Sequence, residues 1–253
     1  MKVLILGANG MLGPWVSKAL SHHEIIETDL EKISTNRNFQ KIDISNTKEV
    51  LKISEGVDAI INLSVLRADR KLAFDVNTLG NYNMMLAAET HKITRIINTG
   101  PHFQIAGPTY EDFDFELNPD MPPQPGVNLY ALSKSLGQEI CYQFTRKNKF
   151  IYLQTLLFYI FYDENYIRAA EKNPQPLGTD PAPFSVTWTD AANAIKLALE
   201  INLNKLPSRS ENYFINSNLP HNKFSNKKAK NILGWKPTKD FEELWNRKTN
   251  DHS

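Results

Sequence analysis

The sequence predicts an α/β fold built on a doubly wound parallel sheet. Its first hundred residues alternate short continuous apolar runs with stretches of helical period, the pattern of strands covered by helices on both faces. A glycine-rich turn joins the first such run to the first helical stretch. The length, 253 residues with 41% hydrophobic and 23% charged, suits one large domain or one domain with a small lobe, and removes disordered, collagen-like and coiled-coil classes.

The elements follow in order. Lys2–Leu6 (KVLIL) is the first strand, and Leu12–Leu20 carries apolar residues at 12, 15, 16, 19 and 20, a helical stripe. Glu24–Thr28 and Phe39–Ile44 are the second and third strands, Asn46–Glu55 a helix and Ala59–Leu63 a fourth strand. A long helix spans Ala73–His91, and Arg95–Asn98 is the fifth strand. Asn118–Gly126 places four prolines in nine positions and reads as a loop. Helical spacing resumes over Leu129–Phe144, a sixth strand covers Phe150–Phe158, and a second proline-rich segment runs from Asn173 to Pro183. Asp190–Glu200 and Phe241–Arg247 are the last helices, and there is no internal repeat.

Composition narrows the function. Lys+Arg 29 against Asp+Glu 28 leaves a formal charge of +1, without the broad cationic surface that nucleic acid or an anionic membrane requires. The longest apolar run, Tyr152–Tyr162, is about half of the roughly 20 residues that span a bilayer. The start, MKVLILGANG, runs into glycines without a small-residue cleavage site and reads as a strand, not a signal peptide. One cysteine, Cys141, builds neither an intramolecular disulfide nor a cysteine-based zinc site. The expectation is a cytoplasmic protein with a small-molecule substrate. No metal site is expected: His22-His23 and His91 have no carboxylate or thiolate at ligand spacing. The charges at Arg67, Asp69, Arg70 and Lys71 read as a solvated run.

Gly7-Ala8-Asn9-Gly10-Met11-Leu12-Gly13, between the first strand and the first helix, is the strongest chemical signal. A dinucleotide pyrophosphate needs backbone N–H groups at a helix N-terminus and no side chain between backbone and phosphate, and glycines at this spacing meet both needs. Asp29 ends the second strand, sixteen positions past Gly13, where an acid bonds the adenosine ribose hydroxyls and repels a 2′-phosphate. The cofactor expected is therefore NAD rather than NADP. Farther on, Tyr130-Ala131-Leu132-Ser133-Lys134 sets a phenol and an ammonium one helical turn apart on one face. Tyrosine ordinarily ionises near pH 10, so a neighbouring ammonium is what brings its proton into use near neutrality.

With these residues in place, the chain resembles the extended short-chain dehydrogenase/reductase family, in its NAD-dependent nucleotide-sugar epimerase and dehydratase branch. The resemblance runs through GANGMLG, Asp29, Asp43-Ile44, Leu63-Ser64 in AIINLS, Asn77 in DVNTLGNYNMMLAA, YALSK, VTWTDAANAIKLAL and AKNILGWKPTKDFEELW. It implies a Rossmann-like domain over 1–157, completed by about 184–201, with a reduced substrate lobe from 158–183 and 202–253. It implies Tyr130 as acid/base and Lys134 as the group that orients the nicotinamide ribose and lowers the tyrosine pKa. It implies cofactor contacts from Gly7, Asn9, Gly10, Met11, Leu12, Gly13, Asp29, Asp43, Ile44, Leu63, Ser64, Asn77, Tyr130 and Lys134. It also implies a homodimer through the Ala73–His91 and Tyr130 helices.

Two departures stand out. Where such proteins carry a serine or threonine that bonds the substrate oxygen, counting back from Ile105-Ala106-Gly107 places His102, with Thr99 the nearest hydroxyl about three residues early. An imidazole there polarises a carbonyl or relays a proton, or else packs in a site without ordinary catalysis. The chain is also shorter than most members, between Phe158 and Phe184, which implies a smaller or different substrate. Two functions follow: an epimerase, dehydratase or oxidoreductase acting on a hydroxyl or keto group of a sugar or nucleotide sugar, or an NAD-binding sensor without turnover.

Overall fold

The computed structural model describes residues 1–31, 38–66, 69–106, 116–158, 160–162, 185–218 and 223–239. Its centre is a seven-stranded sheet of β1 (Lys2–Leu6), β2 (Glu24–Asp29), β3 (Phe39–Lys41), β4 (Ala59–Asn62), β5 (Arg95–Pro101), β6 (Tyr152–Phe158) and β9 (Ser210–Phe214). The order is β3-β2-β1-β4-β5-β6-β9, parallel throughout. The chain starts in the middle, winds out to β3, then returns to β4 and winds the other way. The reversal between β1 and β4 opens a crevice beyond the carboxyl ends of the strands, where doubly wound sheets bind ligands. Short strands β7 (Ile160–Tyr162) and β8 (Ser185–Thr187) pair in parallel beside the sheet.

Strand side chains alternate between two cores. Val3, Ile5, Ile61 and Ile97 pack with α1 (Gly13–Ala19) and a late helix over Trp188–Glu200, whereas Leu4, Leu6, Ile60 and Ile96 meet α2 (Thr47–Ile53) and the helices over Gly80–His91 and Leu129–Lys147. Each of these strand residues is buried on its own face, contributing about 2 kcal/mol apiece. This is why the parallel strands read as unbroken apolar runs.

The long helix expected at Ala73–His91 is α3 (Arg70–Phe74), a π-helical turn (Asp75–Leu79) and α4 (Gly80–His91) in succession. It begins earlier than expected because Asp69 accepts from the Leu72 N–H at 2.8 Å and caps it. Next come α5 (Phe103–Ala106), α6 (Leu129–Lys147), capped by the Asn128 side chain, and α7 (Trp188–Glu200), capped by Thr187. The third strand stops at Lys41, short of Ile44, because Ser45 turns back onto the Asp43 carboxylate.

The seventh strand, β9, comes from the stretch that the sequence reading gave to the lobe. Its sequence, SENYF, is polar, yet Glu211 and Asn212 are buried. Lys228 meets Glu211 at 2.7 Å, and the Tyr142 hydroxyl donates to Asn212 Oδ1 at 2.7 Å. The two late sequence signatures also meet: Asp190 accepts from both the N–H and the hydroxyl of Thr238 at 2.9 Å, and its carbonyl accepts from the indole of buried Trp235. The proline-rich 173–183 and the expected helix 241–247 lie outside the described residues. Among the described residues, no helix is long and apolar enough to cross a membrane.

Candidate functional site

The glycine loop is built by three different constraints. Gly7 has φ +80°, and a Cβ on it would stand 2.6 Å from the Ser64 nitrogen, so this position closes the loop against the β4 end. Gly13 packs so tightly on Ala8 that a Cβ would fall 1.9 Å from the Ala8 carbonyl oxygen. Gly10 is different: its Cβ would meet only the Gly7 carbonyl oxygen, at 3.2 Å, and the residue opens onto cavities on both sides. These are the tight turn, helix packing and backbone approach that a pyrophosphate cradle requires.

Asp29 locks the cradle to β2. Its carboxylate accepts the Asn9 N–H at 2.9 Å and the Leu30 N–H at 2.7 Å, one on each oxygen, while the Asn9 side chain donates to the Glu31 carbonyl. Each oxygen keeps a lone-pair direction for a further donor. Asp29 lines a cavity of about 170 Å³ together with Gly7, Gly10, Asp43, Ile44 and Ser64. A second cavity, of about 90 Å³, is walled by Gly10, Met11, Leu12, Thr99, Tyr130 and Lys134. The two share Gly10, Leu63 and Val65, so they are adjoining parts of one cleft at the carboxyl ends of β1, β2, β4 and β5.

Tyr130 and Lys134 stand in the first turns of α6, and both face the second cavity. Lys134 is 2% exposed, its ammonium donating to the carbonyls of Ser64 at 2.8 Å and Thr99 at 3.0 Å. One residue ties those two together: Asn62 accepts the Ser64 N–H on Oδ1 and the Thr99 hydroxyl on its carbonyl. Asn62 Nδ2 then donates to Asn98 Oδ1, Asn98 Nδ2 to Gln138 Oε1, and Gln138 Nε2 to Thr155. This buried chain bolts α6 to the sheet, which rigidifies as long as every member is satisfied.

His102 is not among the described residues lining either cavity. It is 1% exposed, its ring edge-on to Phe103 and to Phe224, and burial holds its pKa down at about 3, so it is neutral at physiological pH. Phe103 is also edge-on to Tyr130, so an aromatic ring links the two. Asn77 lines neither cavity: in the π-helical turn it bonds the Leu66 backbone in both directions and donates to Ser133 Oγ, clasping the β4 loop to α6. Cys141 is fully buried, its thiol pushed up to about 12 by burial, which suits a packing residue.

The sequence model of the NAD dependent epimerase/dehydratase family matches residues 3–161, more than half of the chain. The chain belongs to that family. The NAD dependence in the family's description agrees with the cofactor expected from the glycine loop and Asp29. An uncharacterized Bacillus subtilis protein, YtbQ, is 24% identical over 98% of each chain. GDP-mannose 3,5-epimerase of Arabidopsis thaliana is 24% identical over 58% of this chain, which spans only 43% of that relative. Among solved structures, MoeE5 in complex with UDP-glucuronic acid and NAD has TM-score 0.76 at 13% identity, with 96% of each chain covered. The uronate dehydrogenase of Agrobacterium tumefaciens has TM-score 0.74 at 21% identity, covering 96% of this chain and 86% of that one. Thermus thermophilus UDP-glucose 4-epimerase with NAD has TM-score 0.76 at 16% identity and 96% coverage of both. At these identities the likeness shows a shared epimerase-family fold.

Several walls of this family member's cleft escaped sequence reading. Trp188 stacks on Phe161 with ring centroids 4.3 Å apart, and both line the second cavity with Phe158. Asn62 and Asn98 were legible in principle, since AIIN and RIIN each end an apolar run in a buried amide.

Proposed function

We propose that this protein is an NAD-dependent oxidoreductase or epimerase acting on a ring hydroxyl or keto group of a sugar, free or carried on a nucleotide. The observation that carries the reading is the convergence of Tyr130, Lys134 and Thr99 with Gly10, Met11 and Leu12 on one cavity, adjoining the one that Asp29 lines. Solved structures of a uronate dehydrogenase, of a UDP-glucose 4-epimerase and of a protein in complex with UDP-glucuronic acid and NAD support the substrate class.

The cleft fits the dinucleotide: Gly10 leaves the loop open at its centre, Asp29 keeps acceptor capacity for ribose hydroxyls, and Asp43 and Ile44 flank the adenine side. When bound, NAD supplies a hydride acceptor. In this reading Tyr130, as its phenolate, takes the proton of the substrate hydroxyl and becomes the neutral phenol. Lys134, held by two carbonyls, stabilises the phenolate by its charge and bonds the nicotinamide ribose. Phe158, Phe161 and Trp188 exclude water and offer flat apolar faces to a sugar ring.

A second reading is an NAD sensor without turnover. It is favoured by the Thr99 hydroxyl, which is committed to the Asn62 carbonyl, and by His102, which is buried against Phe103 and Phe224 and, among the described residues, lines neither cavity. The deciding experiment incubates the protein and NAD with uronates, UDP-hexoses and GDP-mannose, following NADH formation and sugar products. Turnover that disappears in Tyr130→Phe supports the enzyme; tight NAD binding with no product from any sugar supports the sensor. For assembly, we propose a homodimer through the exposed apolar side chains of Leu72, Phe74, Leu79, Tyr82 and Leu136 on α3, the π-helical turn, α4 and α6. A light-scattering mass near 28.9 kDa, that of one chain, would refute it.

A further inference from the structure

Away from the cleft, one group of side chains has the donor set of a metal site. His22 and His23 lie in the turn between α1 and β2, and Glu200 is the last residue of α7. His22 Nε2 stands 2.6 Å, and His23 Nε2 3.1 Å, from the same carboxylate oxygen, Glu200 Oε1. The imidazole centroids are 4.1 Å apart, and the three ligand atoms fall within 4.8 Å of one another. In the sequence the two histidines pass for surface residues, with no partner expected at ligand spacing. The fold supplies one from almost the far end of the chain, because α7 packs beside α1 over the same core.

We propose that His22, His23 and Glu200 bind a divalent transition cation of the zinc type, which clamps the α1–β2 turn to the end of α7. Two imidazole nitrogens with one carboxylate oxygen suit Zn²⁺, Co²⁺, Ni²⁺ or Cu²⁺ and not Mg²⁺ or Ca²⁺, which take oxygen ligands. Around tetrahedral zinc, ligand bonds of about 2.0–2.2 Å put neighbouring ligand atoms roughly 3.4 Å apart. The two contacts here are slightly shorter, so side-chain rotations well under a turn of rotamer open the gap for the ion. The side chains are 49%, 11% and 30% exposed, which lets a cation enter and water complete its coordination.

The backbone on both sides is already held. The His23 N–H donates to the Leu20 carbonyl at 2.8 Å. Arg95 donates to the carbonyls of Leu199 and Ile201, which flank Glu200, at 3.0 and 2.8 Å. The site's place in the fold defines its role. β2 starts at Glu24, next to His23, so the cluster lies at the amino ends of the strands, whereas the cofactor cleft lies at their carboxyl ends. A cation here is a structural clamp remote from the chemistry.

The test is a Zn²⁺ titration of the full chain, freed of any affinity tag and stripped by a chelator, against a chromophoric competitor, with thermal unfolding in parallel. One equivalent should bind and raise the Tm. His23→Ala and Glu200→Ala should weaken binding about tenfold or more, and so should His22→Gln, an exposed change that spares the fold. His91→Ala, whose ring bonds the Leu51 carbonyl elsewhere, should bind as the unaltered chain does. Absence of saturable binding, or equal affinity in His22→Gln, would leave the cluster an ordinary ion pair and overturn the proposal. A fall in NAD affinity on removing the metal would overturn its role as a remote clamp.

Discussion

The ammonium of Lys134 donates to the carbonyl of Thr99 at 3.0 Å, from a helix turn to the end of the fifth strand. A buried lysine so placed cannot swing away from its neighbour one turn earlier, Tyr130, and the same bond fixes where the strand's last residues lie. Asn62 completes the arrangement by holding Ser64 and Thr99, the two residues whose carbonyls the lysine uses. The ammonium is thus positioned by two backbone carbonyls that Asn62 keeps in place.

Tyr130→Phe keeps the ring and its contact with Phe103 and removes only the proton-bearing oxygen. Activity on whichever sugar is turned over should fall by about 10²–10⁴, the usual worth of a general acid/base, with NAD affinity nearly unchanged. Lys134→Met should cost activity and also weaken NAD binding, and it should destabilise the fold by leaving the Ser64 and Thr99 carbonyls unsatisfied. Steady-state rates together with NAD titration separate the two variants. Full activity in Tyr130→Phe would defeat the mechanism.

Asp29 anchors the loop by accepting two N–H groups, and in the proposed cofactor site its charge would select the dinucleotide. The unaltered protein should bind NAD more tightly than NADP, and Asp29→Ala should narrow the gap by losing NAD affinity while relieving repulsion of the 2′-phosphate. Calorimetric titration with both cofactors checks this. Equal affinities before mutation would remove Asp29 from the cofactor site.

Gly10 and Gly13 should separate binding from folding. In Gly13→Ala the new methyl falls 1.9 Å from the Ala8 carbonyl oxygen, backbone that cannot yield cheaply, so a loss of several kcal/mol in denaturant unfolding is expected. Gly10→Val has only the Gly7 oxygen at 3.2 Å to accommodate and should fold, yet its branched side chain fills the approach to the cradle and should abolish NAD binding. Unchanged NAD affinity in Gly10→Val would make the loop purely structural.

The parallel core was legible because runs such as VLIL in β1 and AII in β4 are buried on both faces and have to be apolar throughout. The placement of the glycine loop and of Tyr130 and Lys134 was legible because each is set by residues near in sequence. β9 was hidden because SENYF buries Glu211 and Asn212 through partners far away in sequence, Lys228 and Tyr142. The π-helical turn was hidden because its register serves Asn77, whose clasp joins Leu66 to Ser133, and no period in the local sequence records that demand. The meeting of Glu200 with His22 and His23 depends on helix packing alone.

Tyr213, in β9, is fully buried, and among the described residues its hydroxyl has no hydrogen-bond partner. Burial also drives its pKa upward, so the phenol stays protonated. Tyr213→Phe removes a polar atom that has lost its hydration without compensation, and should leave stability unchanged or raise it by about 1 kcal/mol. Urea unfolding decides it; a loss of more than about 1 kcal/mol would mean that the hydroxyl is satisfied in solution.

His102 gives the protein a specific acid sensitivity. Burial against Phe103 and Phe224 holds its folded-state pKa at about 3, below the ordinary 6.5 of the unfolded chain. Between those values the unfolded state binds the extra proton, so stability is complete above about pH 6.5 and falls as pH drops toward 3. One proton is worth at most about 1.4 kcal/mol per pH unit, so the cost at pH 5 is about 2 kcal/mol. His102→Phe keeps an aromatic ring in the cluster and cannot take up the proton. Measured by urea unfolding at pH 7 and pH 5, the variant should lose about 2 kcal/mol less than the unaltered chain on acidification. Equal losses would place the imidazole in water. The same burial means that any pH–rate profile should lack a histidine limb near 6.5 from this residue, and such a limb vanishing in His102→Phe would return His102 to the chemistry of the cleft.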